Sequence, residues 1–236
     1  MGCLLKQGGG LYARLRVAAV LLAAGEGKRM GGVAKSLITL QGVPLINRQL
    51  IALSGAGVDE VVVVTGFARE AVEAQVQSFP VTLAHNADYA QGQQSSVRVG
   101  LQALSGVFDA VFVVLADQPL IAAGDLTELL SAFKRRPRGN IVVPMVAPQD
   151  AAAGGAQRGN PIVLDDIAVA HILASNMKLA CRKLIEREPG MVHAHETANT
   201  RFMLDLDTPD DLHKLAQRMG WRLELPVKDQ LHKVAG

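Results

Sequence analysis

Cysteine is nearly missing: Cys3 and Cys181 are the only two in 236 residues, far apart and outside any CxxC pair. That count and spacing argue against a disulfide framework or a thiolate zinc site. A dominant charge of one sign is missing too. The formal net charge is +2 and charged residues make up 19%, a balance too neutral for nucleic acid or an anionic membrane as principal partner. No apolar run reaches membrane-spanning length, and Val17 to Ala24 falls far short of it. The opening segment, MGCLLKQGGGLYARLR, lacks the long apolar centre of a secretory signal, and Lys6 stands where myristoylation would need Ser or Thr. Four histidines, His85, His171, His193 and His195, have no cysteine or carboxylate framework at metal spacing. There is no Gly-x-Ser-x-Gly elbow, which counts against a serine hydrolase, and no internal repeat. A cytoplasmic location is expected.

With those classes set aside, a hydrophobic share of 49% suits an ordinary globular protein. The length suits one α/β domain over residues 16–220, with a loose N-terminal tail over 1–15 and a C-terminal tail over 221–236. Short apolar runs alternate with helical patterns. Strands are expected at Val17–Ala24, Glu60–Thr65, Val81–Ala84, Ala110–Leu115 and Asn140–Pro144. Helices are expected after Pro44, over Ala68–Val76, Ser95–Leu104 and Asp125–Arg136, and as two pieces within Asp165–Glu186. Such alternation calls for right-handed crossovers, hence a doubly wound, mostly parallel sheet in an α/β fold. Ala110–Leu115 is nearly all apolar and is placed at the centre. The rhythm breaks at Ala147–Gly159, a small-residue loop long enough to be functional or mobile. Pro161–Leu164 reads as a short strand, Met191–Ala194 and Arg201–Leu204 as late strands running antiparallel. Asp207 or Thr208 then caps a final helix with Pro209 in its first turn.

The chain is organised around Val17–Leu37. Its apolar run stops at Gly25 and gives way to four glycines in eight positions, Gly25, Gly27, Gly31 and Gly32, interleaved with Lys28, Arg29 and, just beyond, Lys35. Glycines directly after a buried strand let backbone N–H groups approach an anion, and three cations suit a nucleoside triphosphate. The loop matches neither familiar phosphate fingerprint. Met30 occupies the third small position of G-x-G-x-x-G/A, and Ala34-Lys35-Ser36 lacks the glycine that precedes the lysine of a P-loop. Downstream, Asp117 closes the Ala110–Leu115 segment in Asp117-Gln118-Pro119, at the carboxyl end of a central strand, where open α/β sheets bind ligands. Alternation puts Asp205 and Asp207 on one side of an extended segment. Gly92 permits close backbone approach, and Ser95 and Ser96 offer hydroxyls at a helix start.

The segment Leu22, Ala23, Ala24, Gly25, Arg29, Met30, Gly31, Lys35 resembles the signature L-A-A/G-G-x-x-x-R-M-G-x-x-x-K of the molybdenum-cofactor nucleotidylyltransferases. The resemblance extends over about Val17–Gln217 through Asp117-Gln118-Pro119, the stretch Asn86–Leu101, and Asp205 to Leu212. It implies a Rossmann-like nucleotidylyltransferase that transfers CMP from CTP to the terminal phosphate of molybdenum-molybdopterin and releases pyrophosphate. By carry-over, Leu22, Ala23, Ala24, Gly25, Gly27, Arg29, Lys35, Gly92, Ser95, Ser96 and Asp117 meet the nucleotide. Arg29, Lys35 and Asp117 are the catalytic choices. Asp117 and Asp207, with Asp205 in third place, would hold Mg²⁺. Arg158, Gly159 and Asn160 stand where the family holds its second substrate, and a recipient molybdoenzyme or its insertion chaperone is the implied protein partner. In this family L-A-A-G accompanies CTP, yet Arg29-Met30-Gly31-Gly32-Val33-x-Lys35 looks closer to the guanylyl branch. A guanylyltransferase or a sugar-phosphate cytidylyltransferase therefore stays open. A nucleotide-dependent oxidoreductase, disfavoured by Met30, and a non-catalytic nucleotide-binding regulator, disfavoured by both acids, are the readings from other classes.

Overall fold

In the computed structural model, which describes residues 14–148, 155–175 and 181–226, the first strand, β1 (Val17–Leu22), is buried along its whole length. Next come a small hairpin, β2 (Thr39–Leu40) and β3 (Val43–Pro44), and then α1 (Leu45–Gly55), β4 (Glu60–Thr65), α2 (Arg69–Val76) and β5 (Thr82–His85). The chain continues through α3 (Gln93–Gln102), β6 (Ala110–Leu115), α4 (Ala123–Arg135) and β7 (Ile141–Val146). The remaining elements are β8 (Gln157–Arg158), β9 (Ile162–Leu164), α5 (Asp166–Ala174), α6 (Cys181–Arg187), β10 (Val192–Thr197), α7 (Pro209–Met219) and β11 (Leu223–Glu224).

Seven strands lie in the order β10-β7-β9-β6-β1-β4-β5, with β8 paired to β7 beyond that path. The pairings of β1 with β4 and β6, β4 with β5, and β7 with β10 are parallel, whereas β9 runs antiparallel between β6 and β7. The sheet is thus mostly parallel, as the strand–helix alternation requires. Because successive side chains of a strand point to opposite faces, β1 feeds two cores. Ala19 and Leu21, with Val63, Phe112 and Val114, pack with Ile46, Leu50 and Leu53 of α1 and Leu126, Leu129 and Phe133 of α4. Ala18 and Val20, with Val62, Val64, Val111 and Val113, meet Val97 and Leu101 of α3 and Ala168 and Ile172 of α5. Burying each such aliphatic side chain stabilises the fold by about 1.5–3 kcal/mol before entropy is counted. The close seat of α3 on β1 depends on Gly100, where a Cβ would lie 2.2 Å from Val20 Cγ1.

Three local expectations are corrected. Residues 192–197 form a strand, but it runs parallel to β7, from Val192 beside Ile141 to Thr197 beside Val146. Thr200–Met203 is a 3₁₀ turn rather than a strand, because the Asn199 side chain accepts the Arg201 N–H and curls the chain. Past residue 220 the chain is not a bare tail: Leu223–Glu224 pairs with Thr39–Leu40 and completes a small sheet beneath α7. Of the long loop, residues 149–154 lie outside the described residues, as do most of the two expected tails. Thr208 caps α7, accepting the Asp211 N–H, with Pro209 in the first turn.

The chain leaves β1 toward β4 and β5, then returns to place β6 on the other side of β1. Connections therefore diverge between β1 and β6, whose ends are level, Leu22 lying opposite Leu115. In open α/β sheets such a divergence opens a crevice beyond the carboxyl ends of the strands.

Candidate functional site

Both strand ends deliver their next residues into that crevice, a cleft of about 550 Å³. From β1 come Leu22, Ala23, Ala24 and Gly25, and from β6 come Leu115, Ala116 and Asp117. The glycine loop then doubles back through a 3₁₀ turn, Lys28–Met30, whose Met30 N–H donates to Gly27 O at 2.7 Å. Gly27 has φ +61°, and a Cβ there would meet the Val33 carbonyl oxygen at 2.2 Å, so no side chain fits. Met30, which spoils the dinucleotide fingerprint, turns inward and is buried against Val33, Ile38 and Leu206. That burial anchors the loop from beneath and leaves Arg29 at the rim, its side chain 67% exposed.

Lys35 opens a second 3₁₀ turn and sends its ammonium back into the cleft. Its Nζ lies 2.5 Å from Asp117 Oδ2 and 2.8 Å from Asp207 Oδ1, while Arg29 Nη2 donates to Asp207 Oδ2 at 2.7 Å. The two acid segments are tied together by backbone, the Leu206 N–H donating to the Asp117 carbonyl oxygen at 3.0 Å. Asp207 is further fixed by the start of α7, since Asp211 Oδ2 accepts the N–H groups of Asp207 and Thr208. Burial pulls the Lys35 pKa down, but Asp117 and Asp207 outweigh it, and the net shift is upward. For Asp207 burial works upward, yet Lys35 and Arg29 hold the carboxyl below its ordinary range. Asp205 stands exposed at the lip of the same cleft, and the partial burial of its carboxyl there, together with the charges of Asp117 and Asp207, pushes its pKa up.

Across the cleft, the buried Asn86 amide donates to Ser95 Oγ at 2.8 Å and Ser96 Oγ at 2.9 Å. Ser96 and Gly92 line the cleft, whereas Ser95 turns aside and donates to the Gly92 carbonyl oxygen at 2.8 Å. Gly27 likewise shapes the loop without lining the cleft. Arg158 and Asn160 do not line it either. With Gln93, Cys181 and Arg182 they line an adjoining hollow of about 150 Å³, and Gln93 and Arg182 border both spaces. Gly159 is held under Phe202, whose carbonyl oxygen would sit 2.7 Å from an added Cβ. Burial and the neighbouring Arg182 charge lower the Arg158 pKa, and burial pushes the Cys181 thiol up to about 11.

Sequence reasoning missed Tyr89 and Gly66. Tyr89 lines the cleft, and a Cβ on Gly66 would lie 2.7 Å from Tyr89 Cβ and 2.8 Å from Ala24 Cβ. The signal was a glycine directly after β4, the strand beside β1. Among the described residues no group of three or more His, Cys, Asp and Glu forms a metal cluster. Asp117 and Asp207 nonetheless converge on a single cation, the Lys35 ammonium. Two hard carboxylates in one cleft beside a glycine loop suit a small divalent ion, so the donor set fits Mg²⁺ or Mn²⁺.

Residues 19–194 match the model of the MobA-like NTP transferase domain. The chain belongs to that family. This MobA-like chain is 29% identical over 202 residues to nicotine blue oxidoreductase of Paenarthrobacter nicotinovorans, covering 84% of this chain and 96% of that protein. Among solved structures it is similar to Rv0371c of Mycobacterium tuberculosis in complex with manganese, with 21% identity and TM-score 0.66 over 87% of this chain and 100% of that one. It is also similar to CMP:2-keto-3-deoxy-manno-octonic acid synthetase in complex with CTP, with 18% identity and TM-score 0.68 over 87% of this chain and 98% of that one. The doubly wound, Rossmann-like nucleotidyltransferase fold is thereby shown.

Proposed function

We propose that this MobA-like nucleotidyltransferase transfers CMP from CTP to the terminal phosphate of molybdenum-molybdopterin, giving the cytosine dinucleotide cofactor and pyrophosphate. The observation that carries the reading is the Lys35 ammonium held between Asp117 and Asp207 beside a glycine loop. A phosphate-binding loop, a half-buried cation and two carboxylates in one cleft suit in-line displacement at phosphorus. An oxygen of the pterin phosphate forms the new bond to the α-phosphorus, and the bond to the β-phosphate oxygen breaks. The acceptor is already nucleophilic, so the protein need only position the groups and stabilise charge. Arg29 and the loop N–H groups take the β- and γ-phosphates, and Lys35 offsets charge building at the α-phosphate. Asp117 and Asp207, seconded by Asp205, would hold Mg²⁺, which when bound supplies Lewis-acid charge to the phosphate oxygens. Ala24, Gly92 and Ser96, with Tyr89, enclose the base. Arg158 and Asn160, with Gly159 shaping their backbone, take the acceptor in the adjoining hollow, Arg158 pairing with its phosphate. A recipient molybdoenzyme or its insertion chaperone would accept the product.

The test is pyrophosphate release with each of the four nucleoside triphosphates, Mg²⁺ and molybdenum cofactor. CTP alone is expected to support it. Release with GTP instead would move the chain to the guanylyl branch, and release only with a sugar phosphate would change the acceptor. A second reading, a nucleotide-dependent oxidoreductase, is favoured by the likeness to nicotine blue oxidoreductase across nearly its whole length. Tight binding of NAD(P)H in place of CTP would establish it.

A further inference from the structure

Gln118 lies between Asp117 and Pro119, is 1% exposed, and does not reach the cleft. Its backbone carbonyl accepts the side-chain amide of Gln49, a fully buried residue of α1. Its own Nε2 donates to the Phe202 carbonyl oxygen at 3.2 Å. That carbonyl also accepts the Asn160 N–H at 2.8 Å. One buried amide thus joins the loop bearing Asp117, the segment leading into Asp205 and Asp207, and the segment bearing Asn160. The cost is visible: among the described residues the buried amide oxygens Gln49 Oε1 and Gln118 Oε1 meet no hydrogen-bond donor. Buried polar groups are nearly always paired, and an unpaired pair in a well-packed core calls for an explanation other than stability.

We infer that Gln118 is a positioning residue, supported by Gln49, whose buried amide sets the separation of Asp117 from Asp207 and holds the acceptor segment in register with them. It acts through those residues and touches no substrate. Nothing in packing requires an amide there, since a methionine has similar shape and carries no unpaired oxygen. The inference rests on the proposed reaction for its kinetic arm and on divalent-ion binding for the other.

Gln118→Met and Gln49→Met test it, each compared with the unsubstituted chain. Mn²⁺ affinity is measured by electron paramagnetic resonance without acceptor, thermal midpoint by calorimetry, and kcat and KM for CTP by pyrophosphate release. The expected result for Gln118→Met is an unchanged or raised midpoint with Mn²⁺ affinity and kcat each down by about tenfold, the low end of the range for partners bonded directly to a ligand, because Gln118 acts on the acids only through backbone. KM for CTP should change by less than about threefold, because the loop that grips the phosphates is untouched. Gln49→Met should shift the same quantities in the same direction by less. Wild-type Mn²⁺ affinity and kcat in Gln118→Met would overturn the inference. So would losses that track a lowered midpoint and disappear on cooling, since those describe a core residue. Failure of the proposed reaction would show earlier and separately, as absent pyrophosphate release from the unsubstituted chain, with the Mn²⁺ comparison still deciding the role of Gln118.

Discussion

Lys35 Nζ lies 2.5 Å from Asp117 Oδ2, although 82 positions separate the two residues in the chain. The same ammonium reaches Asp207 Oδ1, 172 positions away. One cation therefore holds together acids contributed by two distant segments. Removing it leaves two half-buried carboxylates facing each other, which is costly when one partner of a cluster is deleted. Lys35→Met should lower the thermal midpoint at neutral pH, and millimolar Mg²⁺ should recover most of the loss. Calorimetry with and without the ion checks this, and a loss indifferent to Mg²⁺ would remove the metal from the account.

Lys35 and Arg29 should fail in different ways. Arg29 stands at the rim and has the planar fork suited to phosphate oxygens that stay charged throughout. Arg29→Ala should raise KM for CTP more than it lowers kcat. Lys35 has only 16% of its side chain exposed, and in the proposed reaction it would face the charge developing at the α-phosphate, so Lys35→Ala should lower kcat on the order of a hundredfold. Steady-state kinetics with CTP varied at saturating acceptor decides. A pure KM effect for Lys35 or a pure kcat effect for Arg29 ends the division of labour.

Asp117→Ala should abolish turnover with the secondary structure kept, because Asp117 follows the end of β6 and its side chain lies in the cleft rather than the core. Circular dichroism and pyrophosphate release read the two halves of that statement. Near-normal Mg²⁺-dependent release would refute the role given to this acid.

How much of this could be read from the sequence depended on whether the cause was local. β1 and β6 are continuous apolar runs, and the Thr208 cap with Pro209 is a local start signal, so all three were legible. The glycine loop announced itself by composition. The direction of Val192–Thr197 was not legible, because it depends on which edge of the sheet the chain meets after α5 and α6. Leu223–Glu224 is only two residues long and exists by pairing with Thr39–Leu40, far away in sequence. Within the cleft, Asp117 and the glycines stood out by residue type. Lys35 bridging both acids, Tyr89 beside Ala24 and the buried amide of Gln118 are contacts made by folding.

Ala24 supplies a methyl that lines the cleft and packs toward Gly66. Ala24→Gly should loosen discrimination against GTP by making room for a purine, whereas Gly66→Ala should push Tyr89 and Ala24 into the cleft and raise KM for CTP. Competition between CTP and GTP measures both. Unchanged selectivity in Ala24→Gly would sink the steric account of base choice.

Asp205 gives the pH dependence a definite sign. Its carboxyl is raised by burial and by Asp117 and Asp207, so the folded state holds its proton more tightly than the unfolded state does. Ionisation therefore weakens the fold, fully above the raised folded value and not at all below about 3.9, the unfolded value. Asp205→Asn should raise the thermal midpoint at pH 7 and have no such effect near pH 3. Asp207 has the opposite sign: its lowered carboxyl contributes stability above the ordinary range, lost as pH falls through the depressed value. A midpoint gain for Asp205→Asn that persists at pH 3, where the carboxyl is protonated in both states, would show that its ionisation is not the cause.

The most direct test of the central claim follows the α-phosphate itself. The chain is incubated with CTP labelled at the α-phosphorus, Mg²⁺ and molybdenum cofactor, and the pterin fraction is isolated and counted. The account predicts one labelled phosphate per pterin, matched by one pyrophosphate released, and no label transferred by Asp117→Ala. Label that stays in CTP, with no pyrophosphate released and none in the pterin fraction, would contradict it.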